Sequence, residues 1–125
     1  MDSQPPVRVM IVDDHDAVRY SLRLFLSLAG HFEVAGEAEN GQEALNLLGQ
    51  IQPHVVLMDL VMPVMDGVTA TRIIHQQYPQ IKIIVLTSAV DLQLIQNAIQ
   101  AGAHSYILKG TPIDALAISI RAAVQ

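Results

Sequence analysis

Residues 55–59 read Val55-Val56-Leu57-Met58-Asp59, four apolar residues followed by a carboxylate. A run with no polar alternation is buried on both faces, the habit of a central strand in a parallel sheet. Val9-Met10-Ile11-Val12 has the same form and leads into Asp13-Asp14; Ile83-Ile84-Val85-Leu86 leads into Thr87. Working outward, strand and helix patterns alternate five times. Val7–Val12 is a strand, then helical spacing runs through Ala17–Ala29 to Gly30. Phe32–Glu37 alternates apolar and polar, as a half-exposed edge strand does. Asn40 with Glu43 predicts a capping box opening a helix through Ala44–Ile51, which Pro53 stops. Asp59–Gly67 is a loop whose Asp66 caps a helix over Gly67–Tyr78, closed by Pro79. Ile81–Leu86 is the fourth strand and Thr87–Val90 a loop. A helix from Asp91 ends at Gly102. Ser105–Leu108 is a short fifth strand, and Thr111-Pro112 predicts an N-cap and first-turn proline for the last helix.

Five strand–helix units with short connections imply an α/β fold: a parallel sheet between two helix layers, with right-handed crossovers. The most apolar strands belong in the centre and the second and fifth at the edges, which gives the order 2-1-3-4-5. The chain of 125 residues is one domain, residues 1–125, with its ordered core over 7–124. Hydrophobic residues make up 51% and charged residues 15%, which excludes disorder as the main state. Mean hydropathy is +0.36, yet no apolar run approaches the ~18 residues of a membrane span. Met1–Pro6 does not read as a signal peptide. The absence of cysteine excludes a disulfide scaffold, a zinc–thiolate site and a catalytic cysteine, and fits the cytoplasm. A net charge of −5 argues against direct nucleic-acid binding.

In such a sheet, ligands sit beyond the carboxyl ends of the strands, near the switch point between the first and third. Asp13, Asp14 and Asp59 end those strands. Carboxylates so gathered repel unless a cation joins them, and few hard oxygen ligands suit Mg²⁺. Thr87 ends the fourth strand. Lys109, one of two lysines in the chain, ends the fifth. Each signal alone has an ordinary reading: a helix cap, a turn residue, a solvated charge. Together at four strand ends they supply the parts of phosphoryl transfer: metal site, nucleophile, hydrogen-bond donor and charge clamp.

These residues resemble the receiver domains of two-component response regulators. The matching stretches are Val9-Met10-Ile11-Val12-Asp13-Asp14, Leu57-Met58-Asp59-Leu60 with Met62-Pro63, Asp66-Gly67, Leu86-Thr87-Ser88, Gly102-Ala103 and Lys109. The order 2-1-3-4-5 is that of this flavodoxin-like family, so it is not evidence separate from the resemblance. The resemblance implies that Asp59 accepts a phosphoryl group from the phosphohistidine of a sensor histidine kinase. It implies Mg²⁺, with Mn²⁺ as a substitute, held by Asp14, Asp59, the Val61 backbone carbonyl and Asp13 through water. Lys109 would pair with the phosphoryl oxygens and the Thr87 hydroxyl would follow them inward. Small Ser88 would leave the site accessible. Tyr106 occupies the aromatic position that swings in behind Thr87; the alternative is an ordinary half-buried strand tyrosine.

Asp13-Asp14-His15 and Gly102–Leu108 resemble the NarL/FixJ branch, whose members carry a C-terminal helix-turn-helix output domain absent from this chain. An excised receiver is favoured over a single-domain regulator. His15 is read as a loop residue and not as a metal ligand. Gly110 follows the site lysine where many relatives have proline, so a trans Lys109–Gly110 bond is expected. In this family the side chains two positions beyond the phosphorylated Asp and the Thr influence hydrolysis; here these are Val61 and Ala89, which predicts a long-lived phosphorylated state.

The implied function is a phosphorylation switch with slow self-phosphorylation and autodephosphorylation, not an ordinary enzyme. A pseudo-receiver acting as a phosphorylation-independent interaction module is the alternative. A metal-dependent phosphatase would need an acid/base Asp where Val61 stands. On the first helix Val18, Leu22, Phe25, Leu26 and Ala29 form a core face, and Tyr20, Leu24 and Leu28 a second apolar stripe. On the last, Ile113, Leu116, Ala117, Ile120 and Val124 face the core and Ile118, flanked by Ala115 and Ala122, points away. The second stripe either packs the two helices together or forms a homodimer interface through them. The fourth helix has no Lys or Arg from Asp91 to Ala101, which disfavours an ion-paired dimer there.

Overall fold

Parallel strands cannot be joined by hairpins, so each must be followed by a crossover, and this chain has a helix after every strand. The computed structural model describes residues 5–88 and 91–125. Its elements are β1 (Val7–Val12), α1 (Asp16–Ala29), β2 (Phe32–Ala38), α2 (Gly41–Ile51), β3 (Val55–Asp59), α3 (Gly67–Gln77), β4 (Lys82–Thr87), α4 (Leu92–Ala101), β5 (Ser105–Leu108) and α5 (Ile113–Ala123). The sheet is parallel throughout in the order β2-β1-β3-β4-β5, as expected. Among the described residues no helix is long and apolar enough to cross a membrane.

Alternate residues of the central strands feed two cores. Met10, Val12, Val56, Met58, Ile83 and Val85 pack with Leu48 of α2, Ile74 of α3 and Ala98 of α4. On the opposite face, Val9, Ile11, Val55, Leu57, Ile84 and Leu86 pack with Leu26 of α1 and with Leu116, Ile120 and Ala123 of α5. This second layer is thinner. Of the predicted core face of α1 only Leu26 is fully buried; Val18, Leu22, Phe25 and Ala29 are partly covered. Ile113 and Val124, expected in the core, are exposed. Ile113 opens α5 at the mouth of a groove against α1, and Val124 lies beyond the last turn, so Ala123 is the buried residue at that end.

The caps follow the sequence closely. Asn40, Asp66 and Asp91 each accept the backbone N–H three residues on. Glu43 completes the box one residue early, taking the Glu39 N–H. Thr111 does not cap: its hydroxyl turns back to the Leu108 carbonyl at 2.6 Å and Pro112 takes the cap position. The edge strand also departs from simple alternation. The β1–β2 pairing skips Ala35, a bulge that turns the following residues over. Phe32 and Val34 therefore face the α1–α5 core, whereas Gly36 lies under Ile51 of α2 and Ala38 joins the α2–α4 core.

Gly67 begins α3 against the end of β3. A Cβ there would stand 2.1 Å from the Asp59 carbonyl oxygen and 2.7 Å from Leu60 Cα, both unable to yield. Its N–H donates to the Leu60 carbonyl at 3.0 Å. Gly49, inside α2, has only the Tyr78 hydroxyl nearby, at 3.6 Å. Gly67→Ala is expected to destabilise by about 2–3 kcal/mol through overpacking. Gly49→Ala should stabilise by about 0.5–1 kcal/mol, because alanine restricts the unfolded chain and suits a helix. Urea unfolding of the two variants checks both signs.

Candidate functional site

Strand register brings the polar residues into one rank. Val12 pairs with Met58, so Asp13 and Asp59 emerge from neighbouring central strands; Asp59 pairs with Leu86, and Thr87 with Leu108. The Lys109 N–H donates to the Thr87 carbonyl at 2.7 Å, continuing the sheet by one bond beyond β5. The Asp13 N–H likewise reaches the Ala38 carbonyl.

Asp13 is fully buried and Asp59 is 5% exposed, while Asp14 is partly open. The Lys109 ammonium lies 2.8 Å from Asp13 Oδ2 and 3.4 Å from Asp59 Oδ1. The first contact is a close ion pair. Burial pushes the Asp59 carboxyl above its ordinary pKa and the Asp13 charge adds to this; Lys109 and the Val61 backbone N–H oppose without cancelling. Burial pulls the Lys109 ammonium down, but its contacts with Asp13 and Asp59 outweigh that and leave its pKa raised.

Asp13, Asp14, His15 and Asp59 each offer a ligand atom, all within 4.8 Å of one another. Three carboxylates faced by one ammonium leave two negative charges close together, and Asp14 Oδ1 is buried with no aligned hydrogen-bond donor. That donor set fits a hard divalent cation such as Mg²⁺.

Thr87 is buried beside this rank and Ser88 is exposed. Tyr106 is half-exposed on β5, on the sheet face of its register partner Val85, and Val61 is 71% exposed at the pocket rim. Ala89 lies outside the described residues. The described peptide bonds include no cis bond, so Lys109–Gly110 is trans, with φ 91 at Gly110. Two further side chains stand near the pocket: His15, which the sequence reads as a loop residue, and Arg19, which it does not single out. His15 sits over the carboxylates, its Nδ1 3.1 Å from Asp13 Oδ1. Arg19 donates to the Asp13 carbonyl at 2.6 Å and also pairs with Asp16. Its place in the first turns of α1 was the available signal.

A flavodoxin-like sheet with clustered carboxylates at the ends of β1 and β3, a hydroxyl at the end of β4 and an ammonium after β5 defines a receiver-type site. The chain belongs to the response regulator receiver domain family, whose sequence profile matches residues 9–121. It is 45% identical over 117 residues to the transcriptional regulatory protein LiaR of Bacillus subtilis, covering 94% of this chain and 56% of that protein. The response regulator protein VraR of Staphylococcus aureus is 41% identical over 115 residues, covering 92% and 55%. The chain thus spans about half the length of the curated relatives it matches. The crystal structure of a LuxR-family two-component response regulator from Aurantimonas superposes with a TM-score of 0.89 at 32% identity, covering 95% of this chain and 85% of that one.

The raised Asp59 pKa has a stability consequence. As pH rises above the ordinary carboxylate value, the unfolded chain releases this proton before the folded one, so Asp59 costs stability that grows with pH until it ionises in the fold. Asp59→Asn should therefore melt higher than wild type at pH 7 without divalent cations, by about 3 °C or more if it recovers about 1 kcal/mol. The gap should narrow as pH falls towards 4. Thermal melts across that range check it.

Proposed function

We propose that Asp59 is the phosphoacceptor of a phosphorylation switch, charged by the phosphohistidine of a sensor histidine kinase. The observation that carries this reading is the placement of Asp59 between Asp13 and the Lys109 ammonium at a strand end with an open rim. An Asp59 carboxylate oxygen attacks phosphorus, the P–N bond breaks, and its electron pair returns to the donor imidazole. Lys109 exchanges its carboxylate contacts for phosphoryl oxygens, and the Thr87 hydroxyl moves towards them beneath small, exposed Ser88. Tyr106 follows inward from β5. Asp14, Asp59, the Val61 carbonyl and, through water, Asp13 would hold Mg²⁺ or Mn²⁺. The cation neutralises charge on the transferring group when bound.

The unit is a receiver domain over residues 1–125 with its core over 7–124, working in the cytoplasm. It charges itself slowly from small phosphodonors and hydrolyses its own acyl phosphate slowly. A helix-turn-helix output domain is the partner it switches, in keeping with the transcriptional regulator among its relatives. Tyr20, Leu24, Leu28 and Ile118 form exposed apolar surface on α1 and α5, which supports a phosphorylation-strengthened homodimer.

Incubation with acetyl phosphate and Mg²⁺ should add one phosphoryl group by intact mass, and Asp59→Asn should abolish the gain. No gain in wild type would favour the phosphorylation-independent interaction module; fast donor turnover without labelled protein would favour a phosphatase. The adduct should decay slowly, since apolar Val61 cannot orient a water, and Val61→Asn should speed the decay severalfold. Sedimentation should show phosphorylation-dependent dimers that Leu24→Glu or Ile118→Glu dissociates; a wild type monomeric in both states at high concentration would sink the dimer.

A further inference from the structure

We propose that His15 is a nitrogen ligand in the acidic pocket, giving the site a preference for first-row transition ions that oxygen ligands alone would not. This rests on the reading of the pocket as a divalent-cation site. His15 occupies the N-cap position of α1, yet its side chain makes no capping hydrogen bond. Its backbone N–H donates to Asp13 Oδ1 at 2.9 Å, which holds the ring over the carboxylates. Nδ1 then lies in hydrogen-bond contact with Asp13 Oδ1 at 3.1 Å, a contact that coordination would replace, and 3.2 Å from Asp14 Oδ1. Two donors at right angles about one ion, each ~2.1 Å from it, stand ~3 Å apart. The imidazole nitrogen is thus spaced from Asp14, a direct ligand, as a neighbouring ligand would be, and Asp59 completes a set within 4.8 Å. The ring is well exposed, so no packing opposes small adjustments. Carboxylates suit Mg²⁺ and Mn²⁺, whereas imidazole adds affinity for ions later in the row.

The test titrates wild type, His15→Ala and Asp14→Asn with Mg²⁺ alone and Co²⁺ alone by calorimetry, and records pulsed EPR of the Mn²⁺-loaded proteins. In His15→Ala, Co²⁺ affinity should fall roughly tenfold while Mg²⁺ affinity changes less than about threefold. Wild type with Mn²⁺ should show nitrogen coupling that His15→Ala lacks. Asp14→Asn should weaken both ions and the coupling, placing the signal here and not at His31, His54, His75 or His104. No nitrogen coupling in wild type, coupling that persists in His15→Ala or at full strength in Asp14→Asn, or equal losses for Mg²⁺ and Co²⁺ would overturn the role of His15 while leaving the proposed function standing. Failure of both ions to bind wild type would overturn the two together.

Discussion

Two carboxylates, Asp13 and Asp59, are held out of water at the ends of adjacent strands, and the ammonium of Lys109 is the charge that makes this tolerable. Removing a charge from water costs several kcal/mol unless a partner meets it. The partner comes from the edge of the sheet and must reach across β4 to the β1–β3 crevice. Only a strictly parallel sheet in this order delivers it, because every strand then ends on the same side. The single extra bond from Lys109 to Thr87 keeps β4 and the outgoing chain together up to the pocket. Site electrostatics and sheet topology are thus one constraint.

The floor of the pocket is shaped by backbone as much as by side chains. Gly67 lets α3 start against the Asp59 carbonyl. The loop between them bends through a tight turn in which the Met65 N–H bonds the Pro63 carbonyl at 2.7 Å around Val64, whose φ is 69. A β-branched residue disfavours that conformation, and exposed Val64 gains no burial in return. The loop carrying Val61 therefore holds its form through its ends, the glycine contact and the Asp66 cap.

Most of this architecture was legible because it is written in local chemistry. Unbroken apolar runs mark strands buried on both faces, and Asn40, Asp66 and Asp91 announce helix starts with their own side chains. Asp13, Asp59 and Thr87 stood out because each directly follows such a run, and Lys109 because it ends the fifth strand as one of two lysines in the chain. What was not legible depends on distant neighbours. The bulge at Ala35 exists only in pairing with β1. Thr111 has the composition of a cap, but the Leu108 carbonyl competes for its hydroxyl. Ile113 fits a core stripe by spacing, yet α1 stands too far off to cover it. His15 is the loop residue the sequence indicates, but the bond from its backbone to Asp13, which aims the ring, has no signature in composition.

The unequal helix layers give the sheet two different reserves of stability. On the α2–α4 side, three helices close over a broad core; on the other, α1 contributes one fully buried side chain and leaves a groove of about 310 Å³ against α5. Opening free energy follows buried apolar contact, so the amides of α1 and α5 should exchange with solvent through partial opening, well before the central strands do. The species so formed would keep β1, β3 and β4 backed by α2, α3 and α4 while baring Val9, Ile11, Leu57 and Ile84. Such a half-clad sheet is adhesive, and under heat or mild denaturant it would be the form through which this protein is lost to aggregation.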